Sequence, residues 1–233
     1  MIDLSQQELS AIQLSLTVSF WAVIVTLPLG LWVSFILTRK TFFGQSFLNA
    51  IVHVPLVLPP VVTGYILLLT FGKQAWLGQF LENTFGVVLA FRWTGAVLAA
   101  AVMSFPLMVR SMRLSLEAVD PALEQAALTL GARRWVVYVT ITLPLMLPGI
   151  IAGCVLAFAK AMGEFGATIT FVSNIPGQTQ TVPSAIYALL QQPGAEAQAA
   201  RLVWISLVLS LGALAVSEWM ARRSSTSRKG PHD

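Results

Sequence analysis

The sequence is short of charge. Asp, Glu, Lys and Arg make up 10% of its 233 residues, against 56% hydrophobic, and the mean hydropathy is +0.77. A soluble domain carries roughly a quarter charged residues. A water-facing surface cannot be built from so few, so much of this surface must face lipid. Cysteine is limited to Cys154, inside an apolar run, which excludes a disulfide within the chain. His53 has no Cys or carboxylate at ligand spacing, so no metal is expected. The sequence has no G-x-x-x-x-G-K-S/T phosphate loop, so ATP must be hydrolysed elsewhere if it is used. It also has no H-E-x-x-H and no G-x-S-x-G. An intramembrane enzyme would have to rely on His53 and Cys154, single residues in different apolar segments. The first residues, MIDLSQQE, lack the basic region of a cleaved signal peptide, and the first apolar segment is expected to be retained.

Apolar runs are what the chain has in abundance. A membrane helix needs about 20 mostly apolar residues. Five segments qualify, near 11–37, 48–71, 93–112, 141–163 and 202–221. With the N-terminus outside, the inner segments hold Arg39, Lys40, Arg110, Arg113, Arg133, Arg134, Arg222, Arg223, Arg228 and Lys229. Lys73, Arg92, Lys160 and Arg201 fall outside or near span ends, so the positive-inside bias favours N-out and C-in. The pI of 9.6 and net charge of +4 therefore reflect helix anchoring, and no nucleic-acid partner is expected. The chain reads as one all-α membrane domain over 1–223 with a polar tail over 224–233. Prolines 28, 55, 59, 60, 106, 144 and 148 interrupt the spans and tend to kink them. A plain anchor has no use for such kinks.

The cytoplasmic segment, about 113–140, can be read in detail. Asp120 suits an N-cap, Pro121 the first helical position and Gly131 a stop, which defines a helix of about ten residues. At about 100° per residue, Val119, Leu123, Ala126, Ala127 and Leu130 share one face and Glu117, Asp120 and Glu124 another. A short amphipathic helix of this kind either docks another protein or packs on its own bundle.

These residues resemble a known family. Glu124-Gln125-Ala126-Ala127, three residues, Gly131, nine residues, then Ile141-Thr142-Leu143-Pro144 is similar to the EAA loop of bacterial ABC-importer permeases, with Gln125 in place of the usual first Ala. The resemblance implies a type I importer permease fold (MetI-like) in the inner membrane. Glu124, Ala126, Ala127 and Gly131 would dock on a cytoplasmic ATPase, and Ile141, Leu143 and Pro144 would open the next span. It further implies two ATPase subunits carrying ATP-Mg, a second permease copy, a periplasmic binding protein and no catalysis by this chain.

Two further stretches, Val57–Tyr65 with its Leu58-Pro59-Pro60 and Gly163–Phe171 with its Glu164-Phe165-Gly166-Ala167-Thr168, resemble molybdate permeases. So does Ser173–Gly177, followed by Gln180–Pro183. Sulfate and thiosulfate permeases share the general plan, and an exporter would carry longer cytoplasmic helices. By this resemblance Pro59, Pro60, Glu164, Gly166, Thr168, Thr170, Ser173 and Asn174 are candidates for the pathway or its gate. Thr168, Thr170, Ser173 and Asn174 could offer donors to a tetrahedral dianion, and Gly163 and Gly166 could let backbone N–H groups approach one. Glu164 follows Lys160 by four residues, a spacing that suits an ion pair better than contact with an anion.

Overall fold

A computed structural model describes residues 4–226. The described residues form helices and connections, with no strand. Helix α1 spans Gln6–Arg39 and opens on a capping box, in which Ser5 Oγ accepts the Glu8 N–H and Glu8 Oε2 accepts the Ser5 N–H. Its 34 residues reach about 51 Å at 1.5 Å each, well beyond the hydrocarbon layer. The second predicted span is broken. Helices α2 (Gln45–Val57) and α3 (Pro60–Phe71) meet at 115°. Pro59 and Pro60 supply no N–H to carry the ladder from one helix into the next, so the expected kink becomes a sharp corner.

The outer connection from α3 contains α4 (Trp76–Phe85). Helix α5 (Trp93–Glu117) follows, then α6 (Pro121–Thr129) and α7 (Arg134–Val137). A π-helical turn over Tyr138–Thr142 joins α7 to α8 (Leu143–Met162). Pro144 causes this wider turn: it has no N–H, and its ring crowds the carbonyl four residues back. The helix therefore runs unbroken from Arg134, and Ile141, Leu143 and Pro144 lie within the span rather than opening it. The cytoplasmic connection shrinks to 118–133, since α5 also continues five residues past the predicted 112. Helices α9 (Gly166–Val172), α10 (Val182–Leu190) and α11 (Glu196–Thr226) complete the chain. The fifth predicted span falls within α11, which continues through 224–226, where a polar tail was expected. Asp3, Arg228, Lys229 and the rest of the predicted tail lie outside the described residues.

Helix α5 is the hub. It packs on α1 and α8 and also touches α2, α3 and α9. Some 61% of its apolar stretch is buried, against 33% for α1 and 22% for Arg134–Met162. Lipid provides no hydrophobic drive between helices, so close backbone approach and polar contacts must hold them. The α5–α8 contact has both. Ser111 Oγ donates to the Gly149 carbonyl at 2.9 Å and Ser115 Oγ to the Met146 carbonyl at 3.3 Å. A Cβ on Gly149 would lie 2.2 Å from the Ser115 Cβ, so the two helices can meet only because residue 149 has none.

Gly149→Ala should therefore destabilise the protein by about 1–3 kcal/mol through overpacking. Gly212→Ala, where an added Cβ meets nothing within 4 Å, should be close to neutral. Thermal unfolding of the detergent-solubilised protein compares them, and equal midpoints would remove the close-approach argument.

Candidate functional site

Two places carry the residues that the sequence singles out, one at the cytoplasmic end and one inside the bundle. At the cytoplasmic end the local code folds as it reads. Asp120 Oδ1 accepts the Ala122 N–H at 2.8 Å, and Pro121 opens α6. Gly131 has φ +85° and closes the helix, its N–H bonded to the Leu128 carbonyl and that of Ala132 to the Ala127 carbonyl. This is the paired Schellman closure, which requires a left-handed residue where Gly131 stands.

The outer surface of α6 is bare. None of its residues is buried among the described residues, and Leu123, Leu128 and Leu130 are 48%, 39% and 90% exposed. The helix touches the bundle along α7 and the π-helical turn, and Val119, just before it, is buried. Ala126 and Ala127 leave little bulk between them and an approaching partner.

Glu124 departs from the polar face it was expected to share with Glu117 and Asp120. It turns toward the bundle, where its Oε1 accepts from Arg39 Nη2 at 3.2 Å and from the buried Thr142 Oγ1 at 2.7 Å. Arg39 Nη2 also donates to the Val119 carbonyl at 3.3 Å. One carboxylate thereby ties the exposed helix to the end of α1 and to the π turn. Glu117 pairs instead with Arg113 at 3.4 Å, and Arg113 reaches Asn49 Oδ1 on α2 at 2.7 Å. Sequence spacing could not have found Arg39 or Thr142, which lie 85 and 18 residues from Glu124.

Inside the bundle a second helix is broken, where α8 ends and α9 begins at Gly163–Phe165. The two breaks lie against each other. A Cβ on Gly166 would come within 2.8 Å of the Pro60 Cβ, and one on Gly64 within 2.5 Å of the Ala167 carbonyl oxygen. The Pro59-Pro60 and Gly-Glu-Phe-Gly stretches, singled out separately, are thus one contact. Gly166 permits this approach.

Glu164 is buried and pairs with Lys160 at 2.8 Å, while its other oxygen accepts the Ala167 N–H at 3.0 Å in the first turn of α9. Thr168 Oγ1 donates to the Phe165 carbonyl at 2.8 Å and Thr170 Oγ1 to the Gly166 carbonyl at 2.8 Å. A hydroxyl has one proton. These two residues are therefore not free donors in this conformation, contrary to the sequence expectation. Ser173 adopts φ +67°, unusual for a side chain with a Cβ, where the chain turns out of α9. Asn174 Nδ2 donates toward the Ser184 carbonyl on α10 at 3.4 Å, and its Oδ1, an acceptor, is buried without a partner among the described residues. His53 Nδ1 lies 2.8 Å from the carbonyl of Asn49 on its own helix, and Cys154 is on α8.

A bundle of kinked and broken membrane helices, with one short amphipathic helix held out at its cytoplasmic end, is the architecture of a type I importer permease. Residues 10–226 match the family described as binding-protein-dependent transport system inner membrane component, and the chain belongs to that family. It is 59% identical over 221 residues to the molybdenum transport system permease protein ModB of Escherichia coli K12, which covers 95% of this chain and 96% of that one. It is 55% identical to the ModB of Haemophilus influenzae, covering 93% and 94%. Among solved structures, a bacterial ABC transporter involved in the import of the acidic polysaccharide alginate shares the fold, with a TM-score of 0.75, 18% identity, and coverage of 94% of this chain and 80% of that one.

Removing the partner of a buried carboxylate leaves it uncompensated. Lys160→Met should therefore cost about 1–3 kcal/mol, discounted because the lysine is partly exposed. Adding Glu164→Gln, which keeps an acceptor for Ala167, should recover most of the loss. Thermal midpoints of the single and double variants decide the matter, and a double variant no more stable than the single would exclude a structural pair.

Proposed function

We propose that this chain is the permease subunit of an ATP-driven importer that carries molybdate through the inner membrane, taking it from a periplasmic binding protein. The observation that carries this reading is the exposed helix α6 tied by Glu124 to α1 and to the helix of α8. Such a helix is a lever: its free face meets a partner, and its held face moves the bundle. In this reading two cytoplasmic ATPase subunits, each binding ATP with Mg²⁺, draw together and carry the docking helices of two permease copies with them. The membrane helices then alternate between outward and inward access. Glu124, Ala126, Ala127 and Gly131 form the docking element, and Ile141, Leu143 and Pro144 lie in the helix that receives its motion. The candidate gate is the Pro59-Pro60 corner, where Pro60 meets Gly166, braced by Glu164. Thr168 and Thr170 hold α9, and Ser173 and Asn174 shape its exit.

Molybdate as cargo rests on similarity to the molybdenum permeases, since sulfate is a tetrahedral dianion too. A pathway should hold its ion weakly, because tight binding slows release. The occupied hydroxyls of α9 suit that requirement, and selectivity then resides in the binding protein.

Glu124→Arg places like charges against Arg39, and Gly131→Pro removes both the N–H and the positive φ that close α6. Each should lower uptake at least about tenfold, a loss of roughly 1.4 kcal/mol or more in coupling, with membrane insertion unchanged. Normal uptake together with normal ATPase binding in both variants would sink the docking assignment.

The cargo is tested by elemental mass spectrometry of cells grown at nanomolar molybdate, with and without this gene, alongside labelled sulfate uptake. Loss of cellular molybdenum with sulfate unchanged is expected. Loss of sulfate alone would move the protein to the sulfate branch, and intact uptake after alanine replacement of His53 and Cys154 would remove any enzymatic reading.

A further inference from the structure

Beside the Glu124 tether lies a cleft of about 290 Å³ whose lining includes Arg39, Lys40 and Arg134, with Glu124 the one acidic member. Lys40 and Arg134 make no ion pair among the described residues, so the cleft keeps an excess of positive charge. It shares Phe35 and Tyr138, whose rings meet edge to face at 5.0 Å, with an apolar groove between α1 and α8 that continues past Leu31 and Trp32 to Pro28. Residues 28, 31, 32, 35 and 39 form one stripe down α1, and the eleven steps from first to last rise about 16 Å. Cleft and groove together therefore reach inward from the cytoplasmic surface over roughly half of a hydrocarbon layer about 30 Å thick.

A cationic cleft at the membrane surface, adjoining an apolar groove, has the chemistry of an anionic phospholipid site. We infer that such a lipid binds between α1 and α8 from the inner leaflet, its phosphate beside Lys40, Arg134 and Arg39 and one chain along Phe35, Trp32 and Leu31. A free oxyanion would need the cleft and leave the groove without purpose. Because Arg39 also holds Glu124, the lipid phosphate and the carboxylate share one guanidinium, and occupancy of the cleft changes how firmly α6 is tied to α1. That regulatory consequence rests on the docking role proposed for α6. The binding site does not.

The test uses the intact transporter in nanodiscs of neutral phosphatidylcholine, with and without phosphatidylglycerol. Retained phosphatidylglycerol is measured by native mass spectrometry, and binding-protein-stimulated ATP hydrolysis is measured in the same discs. Lys40→Gln/Arg134→Gln should reduce retained phosphatidylglycerol by about tenfold or more, since each basic residue near an anionic headgroup contributes substantially. It should also abolish any dependence of hydrolysis on that lipid. A groove-filling Leu31→Trp variant should lower retention with every charge intact. Unchanged retention in both variants overturns the site. So does displacement of the lipid by millimolar phosphate or molybdate with full activity retained, which assigns the cleft to a free anion, or a crosslink from position 32 to a second permease copy, which assigns the groove to protein. If retention falls but Glu124→Arg leaves uptake coupled, the lipid site stands and the docking reading fails.

Discussion

A helix broken inside a bilayer exposes N–H and C=O groups where no water can reach them, and each one left unpaired costs several kcal/mol. Two breaks in this chain's apolar helices, at Pro59–Pro60 and at Gly163–Phe165, answer that constraint within the protein. At the first corner Pro59 and Pro60 remove the problem at its source, having no N–H to satisfy, while the N–H groups of Val62 and Thr63 bond to the Pro59 carbonyl. At the second, Glu164 accepts the Ala167 N–H, and Lys160 balances the charge this places in the core. The hydroxyls of Thr168 and Thr170 bond to carbonyls of the same short helix. The two corners then cover each other through Gly64 and Gly166.

The same logic accounts for the chain's economy in charge. Most charges described in the structure stand at helix ends, and several of those join elements far apart in sequence. Glu8 meets Arg201 at the outer end of α1, 193 residues on. Arg39 meets Glu124 at the inner end, and Arg113 links α5 to α2. Helix α1, about 51 Å long, is thus pinned at both extremities by ion pairs and along its length by packing on α5.

How far the sequence could be read follows from the range of the interactions. Asp120, Pro121 and Gly131 determine α6 through contacts two to five residues away, and all three act as their positions imply. The Lys160–Glu164 pair is one helical turn apart and was equally legible. The corner at Pro59 was visible as a kink, but its packing against α9, a hundred residues later, was not. The inward turn of Glu124 depends on Arg39 and on a π turn forced by Pro144, and neither is encoded near Glu124. The threonines show the opposite failure. Their type suggests donors for an anion, but a hydroxyl one turn from a carbonyl on the same helix is bonded locally before any ligand arrives.

These contacts also define where motion can go. Helix α6 is held to α1 by Arg39 and to the helix of α8 by Thr142, and both helices lean on α5, the most buried element. The α5–α8 seam is too close at Gly149 and Gly153 to slide far. In the docking reading proposed above, a push on α6 would pass to the helix of α8, which ends at Gly163–Phe165. Beyond that point stand α9 and, against it, the corner of α3. Two helices joined through a glycine contact and a carboxylate brace can separate or close without breaking a continuous backbone ladder. The helix breaks that the bilayer makes costly are thus the joints at which a bundle tied this way can change shape.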